Sequence, residues 1–582
     1  MNPTEYAWAT LQSLAQKEPQ EIKVLVDNID YPALESDSIG YVLRLSAPKM
    51  VNENLLSLHG MFFNNDEAGR AFLWRMFRSS VYHLCLHAAV TDYSIYREFA
   101  SRFEPNNALF AISLAEDFAL RGYMQARWPG LVLETAYANH NSFLRMRDLS
   151  AESNLGTRVA ANLLSYSMVG KPIVQTRSAL DSDTETVHTK LVDYSIEFSK
   201  IFASNDSEGR IPSEQMNSIS MLKLAAVASV AELLERNMVV LSNVHSIPYT
   251  DNHGQNLLFE NSIITSDQEF KANCLRDAFN ELNVNLPEEK IRENEHTLEQ
   301  EASNILGDWE YSLLTKQRLI DLYRQLDPAS HFENFIFPSE DLAEFMRTRL
   351  RLVGPIKRIL EQLRTLKTTN DEVAAQESGY VDIPAAIQVI ASESSRNDVF
   401  IRDEISKKSE AWAILIDSSK SLENSAGEVR EVAVCLTEVA NDMISNSSSW
   451  ACYAFNENLY ILKDFTEFYR NSSKGRIGGL TSGLKTYLPD AIRLAAHRLS
   501  KTAEDVKVML VASDGFPLGY EGIDEELAKA IEEVSKSGIL MIGLGIGSST
   551  IKKYFRSNCV VNGPYDLMKH FVKTYYELSS SF

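Results

Sequence analysis

The chain has 582 residues, of which 45% are hydrophobic and 23% charged, and its formal net charge is −22. This length is enough for several domains, and the composition is typical of soluble globular proteins. The acidic balance disfavours nucleic acid and anionic membranes as partners and suits a partner with basic patches.

The five cysteines are scattered and include no Cys-x-x-Cys pair, so we expect neither a disulfide framework nor a zinc knuckle. Residues 1–20 lack a basic region followed by an apolar one, which a secretory signal would need. No run of about eighteen uncharged apolar residues is present, so no membrane span is expected. These features together predict a cytoplasmic protein.

The first part of the chain, 1–245, is predicted to be a mostly α-helical domain. Apolar residues recur at helical spacing over 71–90 and 108–127. A third apolar segment, 218–241, contains charged residues such as Lys223. We therefore interpret it as a core helix and not as a membrane span.

Two histidines of this helical region, His83 and His87, lie one helical turn apart, and Glu116-Asp117 follow on a later helix. Two histidines and a carboxylate are a possible metal constellation. The His-Glu-x-x-His pattern of metallohydrolases is absent, because Leu84 follows His83. The ordinary interpretation is a packed helix interface with interhelical polar contacts, and both interpretations stay open.

The central part of the chain divides into a polar middle region, 246–340, and a connector, 341–407. The elements predicted in these regions are a long loop over 245–262 and helices over 267–283, 287–324 and 338–367, the last broken near Gly354-Pro355. The connector helix is rich in arginine and lysine, so it is a possible docking surface for the acidic run 288–301 or for a partner.

From residue 408 onwards, apolar runs of strand length alternate with amphipathic helical segments. The predicted strands are 411–416, 450–455, 459–465, 506–512 and 539–546, and the predicted helices are 428–445, 489–499, 523–537 and 565–578. Continuous apolar strands between helices indicate a parallel sheet covered on both faces. Ligands of such sheets bind beyond the carboxyl ends of the strands, and Asp417 and Asp514 are placed at such ends.

Oxygen-bearing side chains collect at these strand ends. Asp417, Ser419 and Ser421 follow the first strand at alternate positions. Thr486 precedes a helix, and Asp514 comes shortly after another strand. Carboxylates and hydroxyls are hard ligands that suit Mg²⁺ or Mn²⁺. Taken singly, each of these residues also suits an ordinary turn or helix cap.

The five positions together resemble the metal-ion-dependent adhesion site (MIDAS) of von Willebrand factor A (VWFA) domains, over about residues 408–582. The resemblance implies a C-terminal α/β, Rossmann-like VWFA domain that follows the helical region of a multidomain chain. It also implies that Ser419, Ser421 and Thr486 contact Mg²⁺, Mn²⁺ or Ca²⁺ more or less directly, while Asp417 and Asp514 act largely through water. One position on the ion is then left for a carboxylate of a partner.

A competing motif, the glycine-rich stretch 478–486, looks like a phosphate-binding P-loop. The P-loop needs Gly-Lys-Thr, whereas Leu484 separates Gly483 from Lys485 here. The preceding residues 471–476 are polar and do not form an apolar strand. Nucleotide binding at this stretch is therefore not expected.

A narrower resemblance rests on the approach to the C-terminal domain, 379–387 and 399–402. These stretches look like those of NorD and CbbO, activation proteins of nitric oxide reductase and Rubisco. The segment from Leu109-Phe110 to Pro129-Gly130-Leu131 agrees. The resemblance implies a non-enzymatic adaptor or co-chaperone of a MoxR-type AAA+ ATPase, whose client is a metalloenzyme offering an Asp or Glu to the ion.

Two alternative functions remain from the sequence alone. One is the VWFA subunit of a metal chelatase, although the ATPase-like module and acidic, proline-rich linker usual there are not visible. The other is a metallohydrolase of the helical domain that uses His83, His87 and Glu116.

Overall fold

The computed structural model describes residues 2–27, 29, 32–36, 40–58, 61–147, 155–173, 179–203, 213–237, 239, 268–284, 288–367, 371–404 and 409–579. The chain divides into two units, Met1–Leu313 and Leu314–Phe582. The four segments expected from the sequence remain a prediction, because these two units are a coarser division. The loop predicted over 245–262 lies outside the described residues.

Helices dominate the N-terminal unit, which confirms the predicted fold class of this region. The helices that begin in this unit are α1 (Pro3–Ala15), α2 (Glu67–Val90), α3 (Arg97–Ala100), α4 (Pro105–Arg127), α5 (Val132–Leu144), α6 (Leu155–Val169), α7 (Ala179–Ala203), α8 (Ser213–Arg236), α9 (Gln268–Glu281) and α10 (Glu288–Leu326). Helices α9 and α10 confirm the helices predicted over 267–283 and 287–324.

Among the described residues, six short strands that were not predicted lie between α1 and α2. They are β1 (Ile22–Asp27), β2 (Ala33–Ser36), β3 (Tyr41–Ser46), β4 (Lys49–Asn52), β5 (Leu55–Leu58) and β6 (Met61–Asn64). They form two three-stranded sheets, ordered β1-β3-β2 and β4-β5-β6. Apolar runs this short do not distinguish strand from helix or loop by periodicity.

The core of the helical unit is built around α4, which packs against α7 and α8. Phe110, Leu114 and Phe118 of α4 are buried in this core. At Gly122 the two backbones approach closely, since a Cβ there would lie 2.3 Å from the carbonyl oxygen of Ser195 on α7. Glycine is therefore required where α4 crosses α7.

Helix α8 is the one helix among the described residues that is long and apolar enough to cross a membrane, over Met216–Arg236. Core helices of soluble proteins meet the same criterion, and 44% of the 18-residue window that meets it here is buried. Its Val227, Val230 and Leu234 belong to the core formed with α4 and α7. Its buried Lys223 is paired with Glu116 at 2.8 Å.

The C-terminal unit contains the α/β domain and the segments that lead into it. Its strands are β7 (Phe335–Ile336), β8 (Asp371–Gln376), β9 (Tyr380–Val381), β10 (Phe400–Glu404), β11 (Glu410–Asp417), β12 (Trp450–Phe455), β13 (Leu459–Lys463), β14 (Val506–Ser513), β15 (Leu540–Ile546) and β16 (Ser557–Val561). Its helices are α11 (Leu342–Arg351), α12 (Val353–Lys367), α13 (Ile383–Ala391), α14 (Ala426–Met443), α15 (Asn471–Gly478), α16 (Leu488–Ser500), α17 (Ile523–Lys536), α18 (Pro564–Asp566) and α19 (Val572–Ser579).

The main sheet has the strand order β16-β15-β14-β11-β12-β13-β7. Neighbours from β16 to β12 run parallel, whereas β13 is antiparallel to β12. Strands β11 and β14 are buried almost throughout, as the apolar runs predict. The predicted α/β domain with buried parallel strands is confirmed, although the edge strands β7 and β16 were not predicted.

The segments between β7 and β11 contain two amphipathic helices, a second small sheet and a short helix. Helices α11 and α12 confirm the predicted amphipathic pair, whose break falls at Leu352, next to the predicted Gly354-Pro355. Strands β8, β10 and β9 form a separate sheet. Helix α13 leaves Ile383, Ile387 and Ile390 strongly exposed among the described residues.

Candidate metal site

The ends of the two central strands meet at the carboxyl edge of the main sheet. In the parallel register of β11 and β14, Ile416 lies opposite Ala512. The next residues, Asp417 and Ser513, are both fully buried. The Ser513 hydroxyl donates a hydrogen bond of 2.6 Å to Asp417 Oδ2. The strand register therefore sets the position of the Asp417 carboxylate.

The loop after β11 turns two hydroxyls towards each other. The Ser419 backbone N–H donates to Asp417 Oδ1 at 2.9 Å, so the carboxylate shapes its own loop. The Oγ atoms of Ser419 and Ser421 lie 3.0 Å apart. Ser419 is buried and Ser421 is exposed, so this pair of oxygens extends from the sheet edge towards solvent.

The Thr486 segment is attached to the same edge through its backbone. The Gly483 N–H donates to the Ser418 carbonyl at 2.8 Å. The Thr486 N–H donates to the carbonyl of Leu518 at 2.8 Å, and the Leu518 N–H returns a bond to Thr486 at 3.3 Å. The loop after β11, the Thr486 loop and the loop after β14 are thus joined by hydrogen bonds, with Thr486 itself buried.

Asp514 is placed by a tight turn directly after β14. Gly515 has a φ of +80°, the left-handed conformation that glycine adopts without strain. Its N–H donates to the Ser513 hydroxyl at 3.0 Å, and the Phe516 N–H donates to Asp514 Oδ1 at 3.0 Å. The turn holds Asp514 nearly buried beside the Asp417 carboxylate.

The negative charge of Asp514 acts electrostatically on the Asp417 carboxyl group. Burial raises the pKa of Asp417 to about 7, hydrogen bonds from Ser513 and Ser419 oppose the rise, and the negative charge of Asp514 adds to it. Two buried carboxylates with hydroxyls nearby form a donor set of hard oxygens that fits Mg²⁺, which takes few carboxylates and keeps several waters.

The structure therefore brings the three segments carrying Asp417, Ser419, Ser421, Thr486 and Asp514 together at one edge of the sheet, and the role of these residues as metal ligands stays a prediction. The ion itself, Mg²⁺ or alternatively Mn²⁺ or Ca²⁺, stays a prediction. An ion held by these residues would be an electrophilic centre at the edge of the sheet.

Two supporting residues were missed by the sequence analysis. Ser513 bonds Asp417, and its position directly before Asp514 is the signal that was available. Glu457, in the turn between β12 and β13, accepts hydrogen bonds from the N–H groups of Leu484 at 2.6 Å and Lys485 at 3.1 Å. Burial would raise the pKa of Glu457, but these backbone bonds outweigh it and the pKa is lowered.

The surroundings of Lys485 differ from those of a P-loop. Residues Asn471–Gly478 form helix α15, so no strand leads into the glycine-rich stretch. The Lys485 ammonium pairs with Glu333 at 3.2 Å and lies 5.6 Å from the centre of the Tyr487 ring. A P-loop instead runs from a strand through the phosphate loop into a helix. The expectation that this stretch does not bind a nucleotide agrees with the geometry.

An apolar rim surrounds the exposed side of the candidate site. It consists of Leu484, Phe516 and Leu518, whose side chains are 64%, 54% and 63% exposed. Leu484 lies in the Thr486 loop, and the other two follow Asp514. Exposed apolar side chains around a polar centre are typical of a contact surface.

The two histidines of the helical unit have a different neighbour from the one expected. His83 Nε2 and His87 Nε2 lie 3.1 and 3.2 Å from Asp117 Oδ1. Glu116, which the sequence analysis placed with the histidines, instead binds Lys223 at 2.8 and 2.9 Å. Adjacent residues on a helix point about 100° apart, so only one of the two carboxylates can face the histidines.

Comparisons with known proteins identify the C-terminal domain. A family model described as von Willebrand factor type A domain matches residues 413–559, and the chain contains such a domain. No curated protein sequence matches the chain. The narrower resemblance to NorD and CbbO stays a prediction.

The solved structures with low-level similarity to this chain include the following two. The conserved hypothetical protein BatB from Bacteroides thetaiotaomicron is 15% identical, with 30% of this chain and 99% of that chain covered and a TM-score of 0.23. The RO (RSR) protein of Deinococcus radiodurans is 11% identical, with 88% and 84% covered and a TM-score of 0.21. Similarities at this level carry no argument about function.

Proposed function

We propose that this protein is a metal-dependent adaptor whose VWFA domain binds one hard divalent cation and, through it, a carboxylate of another protein. The observation that carries the proposal is the meeting of Asp417 and Asp514 with the hydroxyl-bearing loops at one sheet edge. Ser419, Ser421 and Thr486 supply the hydroxyls. The cation is Mg²⁺, with Mn²⁺ or Ca²⁺ as substitutes.

The composition of the proposed ligand set supports the binding of a partner's carboxylate to the ion. In the adhesion sites that this pattern resembles, the two carboxylates act largely through water, so the hydroxyls are the direct protein ligands and the ion stays electrophilic; Mg²⁺ also prefers octahedral oxygen coordination. An Asp or Glu side chain from a partner supplies a direct anionic oxygen ligand. The apolar rim of Leu484, Phe516 and Leu518 gives that partner a surface to pack against once its carboxylate is bound.

The partners follow from the NorD and CbbO resemblance. We propose that the adaptor works in the cytoplasm with a hexameric MoxR-type AAA+ ATPase and that its client is a metalloenzyme requiring activation. The stretch 478–486, the one P-loop-like motif noted in the sequence, departs from a nucleotide site, which supports assigning the ATP-driven work to a partner. The protein then acts as an activation protein or chaperone without catalysis of its own.

The test is a pull-down from the native lysate with the full chain, with Mg²⁺ or EDTA, beside the double variant Asp417→Ala/Ser419→Ala. Glu525→Ala, which removes an exposed carboxylate on α17, is the matched control. The proposal expects an AAA+ ATPase and a metalloenzyme in the Mg²⁺ sample and with Glu525→Ala. At least one of them should be lost in EDTA and with the double variant. Identical partners in all samples would show that the metal site is not the grip.

A further inference from the structure

The helical unit contains a second cluster of metal-ligating atoms, distinct in chemistry from the oxygen site. We propose that His83, His87 and Asp117 hold a first-row divalent transition-metal ion of the Zn²⁺ type, which joins helices α2 and α4. This inference is independent of the proposed adaptor function, because all three residues lie in the N-terminal unit.

The three candidate ligand atoms, one from each side chain, lie close to one another. His83 Nε2 and His87 Nε2 are 2.9 Å apart. Asp117 Oδ1 lies 3.1 Å from the first nitrogen and 3.2 Å from the second. Neighbouring ligands on an ion with zinc-type bond lengths are about 2.9–3.4 Å apart, depending on the coordination number. The cluster therefore has the spacing of a ligand shell.

The hydrogen-bond chain behind His87 determines its tautomer. The Thr91 hydroxyl donates its single proton to Glu116 Oε2 at 2.7 Å. The bond of 2.9 Å between His87 Nδ1 and Thr91 Oγ1 must then be donated by the histidine. A neutral His87 consequently presents the lone pair of Nε2 to His83 and Asp117, which is the form that binds a metal.

Glu116 is held in the accepting state that this chain requires. The Lys223 ammonium donates to both of its carboxylate oxygens, at 2.8 and 2.9 Å, and the Tyr96 hydroxyl donates to Oε1. An ionised carboxylate can only accept hydrogen bonds, so the Thr91 proton points to Glu116. A histidine ligand oriented through its second nitrogen by a chain ending in a carboxylate is the usual support of a zinc site.

The position in the fold suits an ion bound between helices. The two histidines lie one turn apart on α2, and Asp117 lies on α4, which packs against α2. All three side chains are buried. A cavity large enough for a water molecule is lined by His83, Asp117 and Asn139, among others. Water in this cavity would complete a four-coordinate shell.

The donor set also selects the type of ion. Imidazole nitrogen favours Zn²⁺, Fe²⁺, Co²⁺ and similar ions, whereas Mg²⁺ favours oxygen alone. The helical site and the sheet-edge site should therefore separate by metal preference. The cavity beside His83 has room for little more than one water molecule. We therefore assign the ion a role in stabilising the helical unit and not in binding a larger molecule.

The test measures metal content in the full chain, purified without metal-affinity steps and dialysed against free Mg²⁺. We expect about one equivalent of Zn²⁺ or another transition ion in the wild type, since binding to such sites is tight. Asp514→Ala, which alters only the sheet-edge site, should retain this ion, and His83→Gln should lose it. His188→Gln is the matched control, because His188 is a buried histidine of the same unit that bonds Glu281.

A spectroscopic measurement keeps the test decisive where His83→Gln fails to fold. Co²⁺ added to metal-free wild-type protein should give the visible absorption of an ion in a nitrogen and oxygen shell, and Zn²⁺ should displace it. Asp117→Asn, which preserves the shape of the side chain, should weaken the Co²⁺ signal. The inference is overturned if metal-free wild type shows no Co²⁺ signal, or if the wild type and His83→Gln hold the same amount of transition metal.

Discussion

The Ser513 hydroxyl donates to Asp417 Oδ2 at 2.6 Å and joins the ends of two neighbouring parallel strands. This bond fixes the orientation of the Asp417 carboxylate. The other carboxylate oxygen, Oδ1, accepts a hydrogen bond from the Ser419 N–H at 2.9 Å. Both oxygens are therefore positioned by the protein itself. A carboxylate positioned in this way loses little freedom when it binds an ion or an ion-bound water.

The first prediction tests this orientation. Ser513→Ala should lower the Mg²⁺ affinity about 10-fold to 100-fold, because supporting hydrogen bonds of this kind tune metal sites by such factors. Isothermal titration of the full chain with Mg²⁺ measures the change. Ser500→Ala is the matched control, since Ser500 donates to a carbonyl at the end of α16 and is exposed. Equal Mg²⁺ affinity of Ser513→Ala and wild type would contradict the supporting role of Ser513.

The second prediction concerns Glu457, which ties down the loop before Thr486. Glu457→Ala should free the N–H groups of Leu484 and Lys485, so their hydrogen exchange should become faster. Hydrogen–deuterium exchange with peptide resolution measures this directly. Glu525→Ala should leave the same peptide unchanged. Unaltered exchange in Glu457→Ala would mean that the loop is held by other contacts, such as the bond from Gly483 to Ser418.

The third prediction concerns a buried ion pair behind the sheet. Arg498 Nη2 donates to the two oxygens of Asp464 at 3.0 and 2.7 Å, and Thr466 and Tyr323 donate to the same carboxylate. Asp464→Asn should destabilise the C-terminal unit by about 3–5 kcal/mol at pH 7, because it leaves the Arg498 charge uncompensated. Chemical denaturation with a probe in this unit measures the difference.

The pair of Arg498 and Asp464 also predicts how the stability of the C-terminal unit changes as the pH falls. Burial would raise the pKa of Asp464, but Arg498 and the hydrogen-bond donors outweigh it and the pKa is lowered. Its contribution to stability is complete above the unfolded-state pKa and is lost as the pH falls through the lowered folded-state value. The wild type should thus lose more stability on acidification than Asp464→Asn. Parallel curves for the two proteins would contradict this.

The sequence predicted those parts of the fold that depend on burial alone. The run before Asp417 is apolar at every position and strand-length, so β11 was predicted almost to its ends. Strand β4, Lys49–Asn52, is exposed along its whole length and has no such signal. The short strands of the N-terminal unit are stabilised by pairing with neighbours, which a linear pattern does not contain.

The residues of the candidate sites divide in the same way, into those that apolar runs mark in the sequence and those that only the tertiary fold places. Asp417 and Asp514 were predicted because each comes within two residues of the end of an apolar run, and parallel strands place such ends together. Glu457 lies in a turn whose contact with Leu484 depends on the tertiary fold. The choice between Glu116 and Asp117 depends on the rotation of α4, which sequence periodicity fixes too coarsely for adjacent residues.

The fourth prediction separates partner binding from metal binding at the sheet edge. Phe516→Ser should lower the affinity for the partner about tenfold, as expected for an aromatic contact residue, and leave the Mg²⁺ affinity unchanged. Tyr576→Ser is the control, because Tyr576 is also exposed but lies away from the metal site. Its neighbour Tyr575 donates a hydrogen bond to Glu410 at the start of β11, whereas the candidate site lies at the end of that strand. A fall in Mg²⁺ affinity with Phe516→Ser would show that the rim shapes the metal site instead.

The fifth prediction concerns the hydrogen-bond chain behind the histidines. Thr91→Val keeps the shape of the side chain but removes the acceptor for His87 Nδ1 and the donor to Glu116. The buried His87 N–H is then unpaired, and its preferred tautomer is no longer set. We expect Co²⁺ or Zn²⁺ affinity at the helical site to fall about 10-fold to 100-fold, the usual effect of losing such a partner.

Competition of Co²⁺-loaded protein with a chelator measures this affinity. Thr348→Val is the matched control, because Thr348 is a buried threonine of the C-terminal unit that accepts a bond from Arg351. It loses a hydroxyl without touching the histidines, so it should retain wild-type affinity. If Thr91→Val also binds Co²⁺ as tightly as the wild type, Thr91 does not orient His87. The tautomer would then have to be set by the ion itself.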